Sequence, residues 1–160
     1  LRLEQVVAVC PVIDPEHTLV QLERGWALYR QYFVWKWRRS LRRKQAAWPQ
    51  LYDLSEALEL DNLTDMTDHL VCKYGGYPSL GEYLHGYAIV DDALASLVHP
   101  TRIISAADDP IIPAADLERL ARPPALSITC TALGGHCGFY DGQGALTWIE
   151  REVLATLERA

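Results

Sequence analysis

The sequence has no long apolar run, no excess of basic residues and no recognisable signal peptide. None of its apolar stretches approaches the ~20 residues of a membrane-spanning helix, so no such helix is expected. The formal net charge of −6 at pH 7 argues against a protein that binds nucleic acid over its whole surface. The first residues lack the basic start and long apolar centre of a signal peptide. A cytoplasmic location is therefore expected.

The few cysteines are not arranged as a metal or redox motif. Cys10, Cys72, Cys130 and Cys137 form no C-x-x-C pair, and none stands with a histidine at the spacing of a zinc site. Most of them lie in apolar or strand-like segments, where a thiol is usually a small buried hydrophobic group. We therefore expect no metal ion, no cofactor and a reduced setting.

The sequence does contain short apolar segments that are typical of strands. Residues 6–10 read VVAVC and residues 101–105 read TRIIS, as in strands that are buried on both faces of a parallel sheet. Apolar and polar side chains alternate in residues 126–132, LSITCTA, which predicts a third strand. An apolar stripe predicts a closing helix and contains Ile149, Val153, Leu154 and Leu157. This order predicts an α/β fold with about three parallel core strands.

A long helix is predicted between the first two strands, from about residue 22 to residue 48, and Pro49 ends it. The apolar side chains on one face of this helix are Leu22, Trp26, Tyr29, Phe33, Trp37, Leu41 and Trp48. The segment 36–44 carries six cations and no acid. We expect these cations to form a solvated helix face. The alternative is an amphipathic surface that contacts anionic lipid or acidic substrates.

The rest of the segment between the strands is less regular. Apolar residues show no clear helical or strand period in residues 50–78. Ser79 opens another segment that is predicted to be helical in part. We expect a partial α/β domain over the whole chain. Its parts are a core strand at 1–13, a helical, cap-like insertion at 14–98, and a strand–helix–strand–helix segment at 99–160.

Two of the predicted strands are followed by chemically active side chains. Asp108 and Asp109 follow the second strand. His136 follows the third, in the stretch GGHCGF, where two glycines allow a sharp turn and a close approach. Functional groups collect at the carboxyl ends of parallel strands. An aspartate and a histidine there can form the pair in which a carboxylate orients an imidazole that acts as a general base.

These motifs together resemble the C-terminal part of an α/β-hydrolase. AADDPIIP, followed by GGHCGF and a closing helix, is similar to the acid turn and histidine loop of the YheT-like, or embryogenesis-associated, hydrolases. LYRQYF and RRSLRRKQAAWP resemble the Tyr/Arg-rich insertion of that family, and EYLHGYA resembles the stretch beyond it. The resemblance implies that Asp109, just before Pro110, is the triad acid and that His136 is the general base and acid. Asp108 stays open as the alternative acid.

The sequence departs from that family at the nucleophile. The family carries its serine in a G-x-S-x-G motif before the acid and the histidine, and no such motif occurs here. VVAVCPVID resembles the strand that follows the serine elbow. We therefore expect a C-terminal fragment whose serine and oxyanion donors lie upstream, and which is inactive alone. Cys137 is expected to point away from His136, its neighbour in sequence.

Two kinds of function follow from this interpretation. The leading one is a serine hydrolase of carboxylic esters, acyl or lipid-like, whose substrate is a small molecule. The alternative is a non-catalytic module that self-associates or pairs with the missing N-terminal half, because a half-sheet exposes an unpaired edge. Contact with a membrane surface is a weaker expectation, and no nucleic-acid partner is expected. The natural ester, its acyl length and the oligomeric state stay open.

Overall fold

Three parallel strands form the centre of the molecule in a computed structural model that describes residues 3–142 and 144–158. They are β1 (Val6–Val9), β2 (Thr101–Ala106) and β3 (Leu126–Thr131), in the order β1-β2-β3. The register aligns Thr101 with Val6 on one side and with Leu126 on the other. The predicted α/β fold with three parallel strands is therefore confirmed.

The central strand carries the most deeply buried apolar residues of the sheet. Ile103 and Ile104 of β2 are buried on opposite faces, as successive residues of a strand are. Ile103 packs in a cluster whose other buried members are Ile13, Val90, Leu117 and Leu120. Apolar cover on both faces explains why this strand reads as a continuous β-branched run.

The described residues divide into two compact units. One contains the residues up to Thr18 and those from Ala88 onward, and it holds the sheet. Its other elements are a 3₁₀ helix at Ala114–Arg119 and a closing helix at Trp148–Leu157. The other unit, Leu19–Tyr87, is built from helices.

The α-helices among the described residues are α1 (Pro15–Arg24), α2 (Ala27–Ala47), α3 (Ser55–Glu59), α4 (Leu63–Tyr74), α5 (Leu80–His85) and α6 (Trp148–Leu157). No helix in the described ranges is both long and apolar enough to cross a membrane. The predicted closing helix is α6, and a capping box at Thr147 and Glu150 fixes its start.

The long helix expected over residues 22–48 is in fact two helices. α1 ends before Gly25, a weak helix former, and α2 begins two residues later. Because α1 and α2 are separate helices, the side chains of the predicted apolar face do not lie on one continuous helix. Trp26, between them, is 82% exposed, whereas Val34 and Leu41 are the buried residues of α2.

Residues 50–78 contain two helices that the sequence pattern did not predict, α3 and α4. The buried residues of α4 are Leu63, Met66, Thr67 and Val71, which is a helical spacing. The threonines and aspartates between these buried residues make the helical period hard to recognise in the sequence. Asn62 caps α4 by accepting a hydrogen bond from the N–H of Asp65 at 2.7 Å.

The N-cap role of Ser79 is confirmed, since its hydroxyl accepts a hydrogen bond from the N–H of Glu82 at 3.2 Å. The helix that follows, α5, is short and ends at His85. Turns occupy most of the following residues as far as β2.

An ion network ties the start of α1 to the 3₁₀ helix. Nδ1 of His17 lies 2.6 Å from Oδ1 of the buried Asp116. Arg119 donates a hydrogen bond to Asp14, whose carboxylate also accepts from the N–H of Glu16 at 3.0 Å. The hydrogen bond with Asp116 raises the pKa of His17, and the charges of Asp116 and Asp14 act in the same direction.

We predict that His17→Gln destabilises the fold more at low pH than at high pH. A raised pKa means that the folded state binds the proton more tightly, so protonated His17 stabilises it below the ordinary value of 6.5. That contribution is lost as pH rises through the folded-state pKa. Since half of the side chain is exposed, the effect should stay within about 1 kcal/mol.

The measurement is the melting temperature of both proteins at about pH 5.5 and about pH 8.5. His99→Gln, at an exposed histidine, is the control and should change little at either pH. A melting-temperature difference for His17→Gln that does not depend on pH would contradict the prediction.

Candidate active site

The acid turn after β2 and the histidine loop after β3 meet at the carboxyl edge of the sheet. Nδ1 of His136 lies 3.1 Å from Oδ2 of Asp109. The Asp109 side chain is 1% exposed and that of His136 is 35% exposed. An ionised carboxylate only accepts hydrogen bonds, so Nδ1 carries the proton and donates it. Nε2 is then the basic nitrogen. A general base requires this tautomer of the imidazole.

Backbone donors hold Asp109 in its ionised form. Its Oδ1 accepts hydrogen bonds from the N–H groups of Ile111 at 2.8 Å and Ile112 at 3.0 Å. Burial alone would raise the pKa of Asp109, but the two N–H groups and the contact with His136 outweigh burial and leave the pKa below its ordinary value. The carboxylate is therefore charged at neutral pH.

The two adjacent aspartates have different partners. Asp109 contacts the imidazole of His136, whereas Oδ1 of Asp108 accepts a hydrogen bond from the N–H of Gly135 at 2.8 Å. Asp108 thus contacts the backbone of the histidine loop, one residue before the imidazole. Of the two acids that the sequence left open, Asp109 is the one that the structure brings to His136.

The two glycines of the loop have distinct steric roles. A Cβ atom at Gly134 would lie 2.5 Å from Cδ1 of Phe139 and 2.9 Å from Cβ of Ala106, so this backbone passes too close for any side chain. Gly135 has a φ of +56°, which a glycine adopts without strain. Phe139 is buried and packs near Trp148, with ring centroids 5.6 Å apart. These contacts anchor the loop against the end of β2.

Cys10 and Cys137 lie beside the imidazole, contrary to the expectation that Cys137 points elsewhere. One ligand atom from each of Cys10, His136 and Cys137 lies within 4.8 Å of the other two. Cys137 has a φ of +65°, and this left-handed backbone turns its side chain back toward β1. The Sγ atom of Cys137 is accordingly 3.8 Å from the carbonyl oxygen of Val9.

Sequence reasoning also missed Cys10 as a neighbour of the site. It follows β1 directly and is buried, with its Sγ 3.8 Å from the carbonyl oxygen of Gly135. Burial is the main cause that raises the pKa of this thiol to about 12. The rule that placed Asp109 and His136 at strand ends would also have placed Cys10 there. Cys72 and Cys130, by contrast, are exposed.

Comparison with known proteins supports the α/β-hydrolase superfamily. No family model and no solved structure matches the chain. Over 113 residues, or 64% of the chain, it is 30% identical to monoacylglycerol lipase ABHD2 of Bos taurus and 29% identical to that of Homo sapiens. Over 125 residues, or 76% of the chain, it is 25% identical to phospholipase ABHD3 of Mus musculus. The chain spans only 26% to 30% of these relatives' lengths.

The relatives are α/β-hydrolase domain proteins, and the likeness supports the α/β-hydrolase superfamily that the motifs predicted. They do not support the narrower YheT-like assignment, which stays a prediction.

We predict that Asp109→Asn moves the imidazole proton of His136 from Nδ1 to Nε2. The backbone N–H groups of Ile111 and Ile112 hold one oxygen of residue 109, so in the variant the amide NH₂ faces the imidazole. An N–H donor opposite Nδ1 favours the other tautomer. Nitrogen NMR of the ring in metal-free buffer distinguishes the two forms.

Asp108→Asn is the matched control for this experiment. Because Asp108 contacts the backbone of Gly135 and not the imidazole, this variant should keep the proton on Nδ1. Identical tautomers in the Asp109→Asn variant and the unmodified protein would show that the contact between Asp109 and His136 does not position the proton.

Proposed function

We propose that Asp109 and His136 are the acid and the base of a Ser-His-Asp triad in a hydrolase of carboxylic esters with acyl or lipid-like substrates. The observation that carries this proposal is the 3.1 Å contact between the imidazole and a buried carboxylate at the carboxyl edge of the sheet. The printed names of the relatives, a lipase and a phospholipase, support this substrate class.

The proposed reaction uses each nitrogen of His136 for a separate task. Nε2 removes the proton of a serine hydroxyl as its oxygen attacks the ester carbonyl, and a tetrahedral intermediate forms. Asp109 stabilises the imidazolium that results. The imidazolium then gives its proton to the departing alcohol oxygen, and the acyl group stays on the serine. His136 activates a water molecule in the same way to release the carboxylic acid.

In this proposal the serine and the oxyanion donors belong to polypeptide outside these 160 residues. The support for this step is that no G-x-S-x-G motif occurs in the sequence. The chain also spans about a quarter of its lipase relatives. A base and an acid without a nucleophile have little to activate, so the chain alone should not turn over esters.

A surface on α2 favours contact with anionic lipid over the simpler interpretation of a solvated helix face. We define the α2 stripe by side chains that share one helical face: Leu28, Tyr32, Trp35, Lys36, Arg39 and Arg43. Leu28 is 75% exposed, and Tyr32 and Trp35 are about half exposed. Large apolar side chains on the outward face of a helix are typical of helices that lie at a membrane surface.

The cations of the α2 stripe lie over its aromatic rings. Nζ of Lys36 is 5.4 Å from the ring centroid of Tyr32, and Cζ of Arg39 is 5.6 Å from that of Trp35. The rings can enter the headgroup layer while the cations contact anionic headgroups. We propose that the α2 stripe contacts an anionic lipid surface, where a lipid-like ester would be found.

We predict that the 160-residue chain does not hydrolyse a p-nitrophenyl ester above buffer and is not labelled by a fluorophosphonate. The complete protein encoded by the same reading frame should do both. His136→Ala in the complete protein should lower kcat/KM by about 10⁴-fold or more, and Asp109→Asn by a similar factor, since the triad acts as a unit.

His99→Ala, at an exposed histidine of the same structural unit, is the control and should keep full activity. Esterase activity of the chain alone that disappears on His136→Ala would overturn the placement of the serine. A complete protein with no esterase activity, together with a chain that dimerises by light scattering, would favour the alternative of an interaction module.

We predict that the chain binds vesicles that contain phosphatidylserine and does not bind vesicles of phosphatidylcholine alone. Binding in a sedimentation assay should weaken with salt, and the double variant Lys36→Ala, Arg39→Ala should bind at least about fivefold less tightly, because each cation near an anionic surface contributes ~1 kcal/mol.

Trp35→Ala should also weaken vesicle binding. The matched control is Trp48→Ala, because Trp48 is a similarly exposed tryptophan beyond the end of α2 and outside the stripe. Equal loss of binding in these two tryptophan variants, or equal binding to neutral and anionic vesicles, would contradict the proposal.

A further inference from the structure

The carboxyl edge of the sheet holds three potential metal ligands that the triad proposal does not use together. Cys10 comes from the end of β1, whereas His136 and Cys137 come from the loop after β3. One ligand atom of each lies within 4.8 Å of the other two. Four-coordinate zinc places thiolate and imidazole ligands about 3.5–3.8 Å from one another. If these three ligand atoms moved about 1 Å toward one another, they would therefore fit around a cation.

We propose that Cys10, Cys137 and His136 form a binding site for a thiophilic divalent cation, of which Zn²⁺ is the best match. A bound cation would displace the protons of both thiols. The two resulting thiolates and the imidazole are soft and borderline donors, which favour zinc over calcium or magnesium. Three protein ligands leave a fourth coordination position for water or another ligand, as in open zinc sites. Cys137 is exposed, so a cation can reach the group from solvent.

The surroundings of the group orient its imidazole for metal binding. A metal-bound histidine usually donates its other ring N–H to a carboxylate, and Asp109 stands 3.1 Å from Nδ1 of His136. The cation would then bind Nε2, the nitrogen that Asp109 leaves free. Backbone N–H groups hold the buried carboxylate in place, so it can fix the orientation of the imidazole through Nδ1 while the other ring nitrogen binds the cation.

The backbone holds the two thiols in position. Cys10 and Cys137 both have left-handed φ values, +45° and +65°, which are uncommon for residues other than glycine. The N–H of Cys10 donates a hydrogen bond to the carbonyl of Ile104 at 2.8 Å. Each thiol contacts one backbone carbonyl at 3.8 Å, a weak interaction. The thiol of Cys10 also hydrogen-bonds to the carboxylate of Asp109, and a metal–sulfur bond would replace these contacts.

Metal binding and the proposed catalysis would exclude each other, a consequence that rests on the proposed function. A cation on Nε2 occupies the lone pair that a general base needs. The cation site itself does not depend on this step, because it is defined by the three ligands alone. A test of binding can therefore succeed or fail independently of any ester hydrolysis.

The test is titration of the reduced 160-residue chain with Co²⁺, followed by absorption spectroscopy. We expect intense d–d bands of four-coordinate cobalt with a thiolate-to-cobalt charge-transfer band in the near ultraviolet, and displacement of both by an equal amount of Zn²⁺. Cys137→Ser and Cys10→Ser should each weaken binding by about 100-fold. Asp109→Asn should weaken it by about 10-fold, since loss of a carboxylate that orients a metal-bound histidine lowers metal affinity by ~10–100-fold.

The control is the double variant Cys72→Ser, Cys130→Ser, which removes the two exposed cysteines outside the group and should leave the spectrum and the affinity unchanged. Cys137→Ser keeps the test decisive, because this exposed residue can change without loss of the core. A spectrum of six-coordinate aqueous cobalt, or a four-coordinate spectrum that survives Cys137→Ser, would overturn the proposal.

Discussion

The structure at the carboxyl edge of the sheet depends on one buried carboxylate. A charged group that is removed from water destabilises the fold unless hydrogen bonds satisfy it. Asp109 meets this condition through two backbone N–H groups of its own turn and through the imidazole of His136. The turn after β2 and the loop after β3 are therefore joined by the same interaction that fixes the tautomer of the histidine. Stability and chemistry share this contact.

The parallel sheet explains why unrelated segments deliver reactive groups to one place. All three strands run in the same direction, so their carboxyl ends lie along one edge. β1 contributes Cys10, the turn after β2 contributes Asp109, and the loop after β3 contributes His136. The neighbouring carboxylate of Asp108 holds the backbone of that loop, and the close passage of Gly134 beside Ala106 brings the loop against the edge.

The sequence predicted the features that depend on local composition. Apolar β-branched runs identified the strands, and the motifs around Asp109 and His136 identified the pair that the structure brings into contact. Features set by backbone dihedral angles or by distant pairing were not predictable in this way. The left-handed backbone of Cys137 has no signature in its residue type. The contact of His17 with Asp116 joins residues 99 positions apart, and neither neighbourhood shows a pattern that indicates it.

The two nitrogens of one imidazole connect the two proposals made for this edge. Nδ1 is committed to Asp109, which leaves Nε2 with a single lone pair. That lone pair can remove the proton of a hydroxyl or bind a cation, but not both at once. The carboxylate supports either role, because it stabilises the imidazolium in the first and orients the metal ligand in the second. The two thiols beside the ring are what make the second role available, since an imidazole alone binds zinc far more weakly than a set of three converging ligands.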